Sequence, residues 1–355
     1  MSGIAPFVFP GLRSRVVFGP GSIAQTGDEI ARLGRSRALV LSTPNQAADA
    51  EALAARLGVL TAGLFAEAAM HTPVEVTEKA IAAYRAAGAD CVVSLGGGST
   101  TGLGKAIATR TGADQIVIPT TYAGSEMTDI LGETAGGEKT TRRDPSILPE
   151  TVIYDVDLTL TLPVALTVTS GLNALAHAAE ALYAPDRNPV ITLMSAEAIR
   201  AFAAALPAIV RDPADVTARG QAQYGAWLCG IALGGTSMSL HHKLCHTIGG
   251  SFGTPHAETH AVLLPHTVGF NAKAVGDLLA PLRETFGDTP GRALFDFAAA
   301  LGAPKRLSEF GLSEVDLDRA ADIATRNPYA NPRAFDRADI RSLLQDAWEG
   351  RPPPY

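Results

Sequence analysis

At 355 residues the chain is longer than one hydrophobic core usually serves, so two domains are expected. Its 29 basic and 36 acidic residues leave a formal charge of −7, which argues against the basic face of a general nucleic-acid binder. Hydrophobic residues at 46% with only 18% charged exclude a disordered chain or a coiled coil. Cys91, Cys229 and Cys245 are too few and too scattered for a disulfide framework. The first residues do not read as a signal peptide, and the apolar runs break before the ~18 residues a membrane helix needs. The expectation is a cytoplasmic, soluble protein with no membrane or nucleic-acid partner.

Residues 16–18 read as a strand, with Gly19-Pro20-Gly21 after it as a plain turn. Residues 39–41 form a short apolar strand, 49–57 an Ala-rich helix and 76–87 a second helix. Further strands are expected at 91–95, 116–118 and 152–154. Short apolar strands separated by helices imply βαβ units and a parallel sheet covered on both faces. Composition changes near Asp157, and beyond it helical periodicity covers 170–184, 190–209, 214–232 and 239–248. Gly234-Gly235, Gly249-Gly250 and Pro255 are read as the breaks. The tail, 333–355, ends in a helix followed by three prolines. This gives an α/β Rossmann-like domain over 1–157 and an all-helical substrate domain over 158–355, with a ligand cleft expected between them.

Gly96-Gly97-Gly98-Ser99 follows the strand 91–95 and opens a helix that runs past Lys105. Glycines admit close approach to the backbone, and a helix N-terminus offers free N–H groups to an anion such as a pyrophosphate. The spacing is neither GxGxxG nor Walker A, so taken alone a strand-to-helix turn explains it equally well. The segment Pro119-Thr120-Thr121-Tyr122-Ala123-Gly124-Ser125-Glu126 follows the next strand and adds hydroxyls and backbone donors. Two adjacent strand ends then face one crevice, where nucleotides bind in open parallel sheets.

The histidines are clustered. Of eight, five lie between 241 and 260. Asn173 and His177 stand four apart on a helix and share a face, and His242 and His246 repeat that spacing. His256, His260 and His266 follow. With Asp in place of Asn173, the set with His177, His242 and His256 would suit a divalent metal. An amide lacks the charge that offsets a dication, so metal affinity is expected to be low.

Together these motifs resemble the iron-containing alcohol dehydrogenase superfamily, which includes dehydroquinate synthase and glycerol dehydrogenase. The carriers are the Gly96–Ser99 loop, Pro119-Thr120-Thr121, the run Ser170-Gly171-Leu172-Asn173-Ala174-Leu175-Ala176-His177, and His242-x₃-His246-x₉-His256. Within it, Phe7-Val8-Phe9-Pro10-Gly11 and the run from Gly96 to Lys105 are most similar to the maleylacetate reductase branch. Iron-dependent relatives usually carry Asp where this chain has Gly102 and Asn173, and the branch generally works without metal. The resemblance implies a dehydroquinate synthase-like fold, a homodimer, and NADH- or NADPH-dependent reduction of the C=C bond of 2-maleylacetate to 3-oxoadipate in aromatic-compound degradation. It places Gly97, Gly98, Ser99, Thr120, Thr121 and Lys139 at the cofactor, with Gly96, Ser125 and Asn45 as neighbouring candidates. It places His177, His242, His246 and His256, beside Asn173, at the substrate, with no metal ligand among them.

That substrate is a small dianion, and reduction would build charge on its ketone oxygen. His242 and His177 would hold a carboxylate or that oxyanion, and His246 would serve as acid. Arg142, Arg143 and Lys243 are candidates for the local positive field that attracts a dianion, beside a solvated surface role for each. The residues after the strand 39–41, Ser42-Thr43-Pro44-Asn45, include no acid to repel a 2′-phosphate. NADPH should therefore be accepted as well as NADH. Cys245 reads as a small buried thiol. Three rival readings stand against this one: a nucleotide-binding protein without chemistry, which the histidine cluster disfavours; a metal-dependent (Fe or Zn) alcohol dehydrogenase acting on a small alcohol or aldehyde; and a lyase of the dehydroquinate synthase type. The lyase is disfavoured because it needs several Lys and Arg groups, in which the helical half is poor.

Overall fold

A computed structural model of the chain describes residues 6–9, 11, 13–136 and 138–355, and the side chains of Glu138 and Lys139 lie outside the described part. The chain divides into two compact units, the first ending at Leu162 and the second beginning at Pro163, with residues 6–9 and 11 grouped with the second. The division therefore falls a few residues past Asp157, after the short turn Val156–Thr159.

In chain order, the first unit contains β1 (Arg15–Phe18), α1 (Thr26–Arg32), β2 (Ala38–Leu41), α2 (Ala47–Leu57), β3 (Thr61–Phe65) and α3 (Val74–Ala86). It continues with β4 (Cys91–Gly96), α4 (Gly98–Thr111), β5 (Asp114–Pro119), β6 (Ile130–Ala135), β7 (Glu138–Arg143) and β8 (Thr151–Tyr154). Six strands form one sheet in the order β1-β8-β5-β4-β2-β3, and every pairing in it is parallel. Alternation along the strands explains the two covered faces. Val40, Val93, Leu95, Ile116 and Ile118 pack with Ile30 of α1 and Leu53 and Leu57 of α2. Leu39, Leu41 and Val92 pack with Ile81 and Tyr84 of α3 and Leu103 and Ile107 of α4. Gly19-Pro20-Gly21 is a turn.

Two features have little sequence signal. The edge strand β3 reads Thr-Ala-Gly-Leu-Phe and is mostly half-buried, so it lacks the apolar run of a central strand. β6 and β7 form a separate antiparallel hairpin between two strands of the main sheet, and its second strand, Glu-Lys-Thr-Thr-Arg-Arg, is wholly polar.

The second unit is helical: α5 (Val164–Tyr183), α6 (Pro189–Arg211), α7 (Val216–Gly235), α8 (Leu240–Phe252), α9 (His256–Val275), α10 (Ala280–Phe286), α11 (Pro290–Ala300), α12 (Asp316–Arg326) and α13 (Arg337–Glu349). α5 is buried continuously from Thr167 to Tyr183 and packs against α6, α7 and α9. A second core joins Leu244 and Ile248 of α8 with Leu317 of α12 and Leu344 of α13.

Gly249-Gly250 is not a break. α8 passes through both glycines and stops at Gly253, whose φ of 67° is left-handed and whose N–H bonds the Gly249 carbonyl. Glycine inside a helix costs only about 1 kcal/mol, whereas the left-handed C-cap is where glycine is required. Likewise Gly234-Gly235 are the last residues of α7 rather than a gap after it. α6 is long and apolar enough to cross a membrane by length and composition, contrary to the expectation that no run would qualify. Its Ile191, Ala198, Phe202 and Leu206 are fully buried against α5 and α7, the pattern of a core helix.

Candidate active site

In the first unit the strand order reverses between β2 and β4, the position at which open α/β sheets bind nucleotides. Gly96 ends β4 with φ of 149°, and a Cβ there would lie 2.5 Å from Thr100 Oγ1 and 2.8 Å from Gln46 Oε1. Only glycine fits. Gly97 caps α4 without a side-chain cap bond, so the first amides of the helix, from Gly98 and Ser99 onward, face outward for an anion. Thr121 packs on Gly97, at 3.0 Å from a built Cβ. Gln46 Nε2 donates to Thr120 Oγ1 at 3.0 Å, tying the loop after β2, which holds Asn45, to the loop after β5.

Lys105 of α4 is fully buried. Its ammonium donates to the carbonyls of Ser125 (2.6 Å), Thr128 (2.7 Å) and Ile130 (2.9 Å). Burial pushes its pKa down to about 7. Lys105 thus anchors the segment that contains Ser125. A Cβ at Gly102 would lie 2.4 Å from Thr72 Oγ1, so any side chain at that position must displace Thr72. Lys139 stands in β7 opposite Thr134, and its side chain lies outside the described residues. Gly96, Gly97, Gly98, Ser99, Thr120, Thr121, Asn45 and Ser125 therefore gather at neighbouring strand ends, and the residues fit a dinucleotide.

In the second unit, α5, α8 and α9 bring the histidines together. The rings of His177 and His242 stack with centroids 5.1 Å apart. His242 reaches His246 at 5.9 Å and His260 at 5.2 Å, and His256 lies 4.5 Å from His260. Asn173, His177, His242 and His260 are buried, while His246 and His256 are exposed. His266 lies apart, against Phe295 at 6.1 Å. Asn173 Oδ1, His177 Nδ1, His242 Nε2 and His260 Nε2 are buried polar atoms with no protein partner. Such atoms are costly unless a ligand or water meets them.

Glu180 organises the group. Its carboxylate accepts His242 Nδ1–H at 2.7 Å and the backbone N–H groups of Ser239 (2.8 Å) and His241 (2.7 Å). It therefore caps α8 and fixes the tautomer of His242, leaving Nε2 for a ligand. Glu180, His241 and His260 were not singled out from the sequence as site residues, although a signal existed. Glu180 lies three residues after His177, and His260 four after His256, each on the face of its neighbour.

Burial, then the charge of His242, holds His177 well below the ordinary histidine range. Burial does the same to His241 and His260, and brings His266 down to about 4. His177 is therefore an uncharged ring at neutral pH. A linkage prediction follows. Below the ordinary value of 6.5 the unfolded chain binds protons that these native rings refuse. Stability is full above that pH and falls as pH drops through it, by up to about 1.4 kcal/mol per pH unit for each such ring. Urea midpoints should hold steady from about pH 8 to 7 and fall below 6.5. A flat profile down to pH 5.5 would refute it.

Arg142 pairs with Glu133 at 3.0 Å and Arg143 with Asp129 at 3.4 Å. Glu133 also holds Arg110 at 2.9 Å, so both guanidiniums stand in ion pairs within the first unit. Lys243 lies 5.5 Å over the Tyr329 ring, and the Tyr329 hydroxyl is 3.2 Å from His246 Nδ1. These three groups form a polar rim beside the cluster. Cys245 is buried within the apolar core of α8 and α12, with Sγ 3.6 Å from His241 Nε2.

Residues 13–156 match the model of the iron-containing alcohol dehydrogenase family, and 167–348 match the C-terminal domain of that family. The chain belongs to the iron-containing alcohol dehydrogenase family. Within this family it is 63% identical over 348 residues to the maleylacetate reductase of Rhizobium sp. (strain MTP-10005), covering 98% of this chain and 99% of that protein. The crystal structure of maleylacetate reductase from Agrobacterium tumefaciens aligns with a TM-score of 0.96 at 63% identity, covering 99% of this chain and all of that one. An iron-containing alcohol dehydrogenase from Corynebacterium glutamicum aligns with a TM-score of 0.94 at 39% identity, over 99% of each chain. The chain is an oxidoreductase of this family.

The family name implies an ion, and the donors present test it. Asn173 offers an amide oxygen and the histidines offer neutral nitrogens. None of the set carries the charge that offsets a dication. These side chains therefore suit a dication less well than the same set would with a carboxylate at position 173.

Proposed function

We propose that the protein reduces the C=C bond of 2-maleylacetate to 3-oxoadipate, using NADH or NADPH and no bound metal. The substrate assignment is carried by the 63% identity to the Rhizobium enzyme across 98% of this chain. The metal-free assignment is supported by the amide at Asn173. Its three cysteines, all free and buried, suit a reducing compartment, and we assign it to the cytoplasm as a homodimer.

A reduced nicotinamide supplies the hydride when bound. The amides at the start of α4 hold the pyrophosphate, and Thr120 and Thr121 add hydroxyl contacts. Lys139 and Asn45 complete the cofactor set. Hydride addition at the β-carbon moves an electron pair to the ketone oxygen, and the α-carbon then takes a proton. His242, its Nδ1 held by Glu180, and His177 face a substrate carboxylate or the oxyanion. His246, on the exposed rim with Tyr329, delivers the proton, and Lys243 supplies local positive charge. Asn173 and His256 line the same pocket.

The deciding experiment is spectrophotometric. Purified protein, stripped with a chelator, should consume NADH when maleylacetate is added. Loss of that activity on chelation with recovery on Fe²⁺ or Zn²⁺ would favour the alternative, a metal-dependent alcohol dehydrogenase. One observation speaks for that alternative: a carboxylate holding the second nitrogen of a histidine, as Glu180 does for His242, is the usual support of a metal ligand.

Cofactor choice gives a further expected result. No acid stands in Ser42-Thr43-Pro44-Asn45-Gln46 after β2, so a 2′-phosphate meets no repulsion. KM for NADPH should lie within about a hundredfold of KM for NADH, since an acid contact there is worth roughly 1–3 kcal/mol. A larger gap overturns the point.

A further inference from the structure

Behind the histidine cluster runs a chain of hydrogen bonds from Thr267 through His241 to His260, and its direction turns on where the Thr267 hydrogen points. The Thr267 hydroxyl donates to the carbonyls of Leu263 (3.0 Å) and Leu264 (3.1 Å). A hydroxyl has one hydrogen; with it on these helix carbonyls, the oxygen accepts from His241 Nδ1, 3.1 Å away. Burial keeps the His241 ring uncharged, and a neutral ring with Nδ1–H has a bare Nε2. That nitrogen lies 2.9 Å from His260 Nδ1, which is therefore the donor. The hydrogen of His260 is spent on His241, and its Nε2 is left as a lone pair.

That lone pair belongs to a ring surrounded by His256, His242 and His177, at 4.5, 5.2 and 6.5 Å between centroids. His260 is 1% exposed, and its Nε2 meets no protein partner. Asn173 Oδ1 is a second buried acceptor without one. A bare imidazole nitrogen repels a carboxylate or an enolate. It accepts readily from water, and that water keeps a second hydrogen to donate.

We propose that His260 belongs to the active site, where its Nε2 holds a water whose other hydrogen points at the ligand oxygen that gains charge on reduction. This rests on the reduction assigned above. The arrangement stabilises an oxyanion with a preorganised dipole and no metal. Thr267 and His241 are positioning residues: they hold His260 in the only tautomer that can do this. His241 Nε2, Cys245 Sγ and His260 Nδ1 also lie within 4.8 Å of one another, but an ion there would replace the His241–His260 hydrogen bond.

Two measurements test it. The first is ¹⁵N NMR of histidine-labelled full-length protein at pH 7.5, assigned with single-histidine variants. His241 and His260 should both show a protonated Nδ1 and a bare Nε2. A protonated His260 Nε2, or metal-shifted signals from both rings, overturns the proposal. This arm needs no substrate, so it is independent of whether maleylacetate is the ligand. The second compares His260→Leu with His260→Gln. The Leu variant should lose about tenfold or more in kcat with KM for NADH within about twofold. The Gln variant, whose amide oxygen restores an acceptor, should recover most of that loss. Equal impairment of the two, or an unimpaired Leu variant, refutes the role. Should the Leu variant fail to fold, Thr267→Val replaces it. The valine frees the His241 tautomer, so both the NMR signature and kcat should change. If neither does, the chain of bonds has no bearing on catalysis.

Discussion

Glu180→Ala should lose at least about a hundredfold in kcat/KM and about 3–5 kcal/mol of stability. One carboxylate, buried at 1% exposure, satisfies three donors at once: Ser239 N–H, His241 N–H and His242 Nδ1–H. The two amides belong to the start of α8, where Ser239 makes no side-chain cap bond of its own. A charged acceptor there also meets the positive end of the helix dipole. Deleting it strands buried donors at about 1–3 kcal/mol each, and the His242 ring loses its fixed orientation. Glu180→Gln separates the two effects. Its amide oxygen can serve one or two donors, but its NH₂ must then face a third. Stability should recover part-way while kcat stays low, because His242 is the donor most easily turned away. Thermal unfolding and steady-state kinetics on both variants check this. An alanine variant within threefold of wild-type activity would end the assignment of Glu180 as the organiser of the cluster.

Much of this site could be read from the chain because its signals are local. The Gly96–Ser99 loop is contiguous, and the i, i+4 pairs Asn173–His177 and His242–His246 place side chains on one helix face by geometry alone. The two covered faces of the sheet followed from short apolar strands such as Cys91–Gly96. What escaped depends on partners distant in sequence. Glu180 looks like one more helix acid until α8 is laid against α5, some sixty residues later. The orientation of His260 depends on Thr267 and His241, and no spacing rule reveals which nitrogen carries a hydrogen. The choice between a solvated and a field-setting role for Arg142 and Arg143 stayed open because their partners, Glu133 and Asp129, are set by strand pairing that no local spacing reveals. The placement of the α8 stop at Gly253 instead of Gly249-Gly250 is of the same kind. α8 runs through two poor helix formers before Gly253 takes the left-handed turn, and no local spacing distinguishes the three glycines.

Asn173→Asp should turn a poor ion site into a good one. Asn173 is 3% exposed with Oδ1 unpartnered, and it stands one helical turn before His177. A carboxylate adds a full negative charge beside neutral imidazoles. At an effective dielectric constant of about 20 each unit charge at 4 Å is worth about 4 kcal/mol, and the cost of dehydration takes back part of that. Affinity for Zn²⁺ or Fe²⁺ should rise at least about a hundredfold, read by competition with a chromophoric chelator. Without metal the variant buries an unpaired carboxylate and should melt below the wild type. With metal it should recover, because an ion that binds only the folded state stabilises it. Wild-type protein should show no comparable rise in melting temperature. Maleylacetate reduction should fall in the metal-free variant, since the new charge repels a dianion from the pocket that Asn173 lines beside His177 and His242. If the variant binds metal no better than the parent, the amide at 173 is not what sets this chain apart from an ion-binding site.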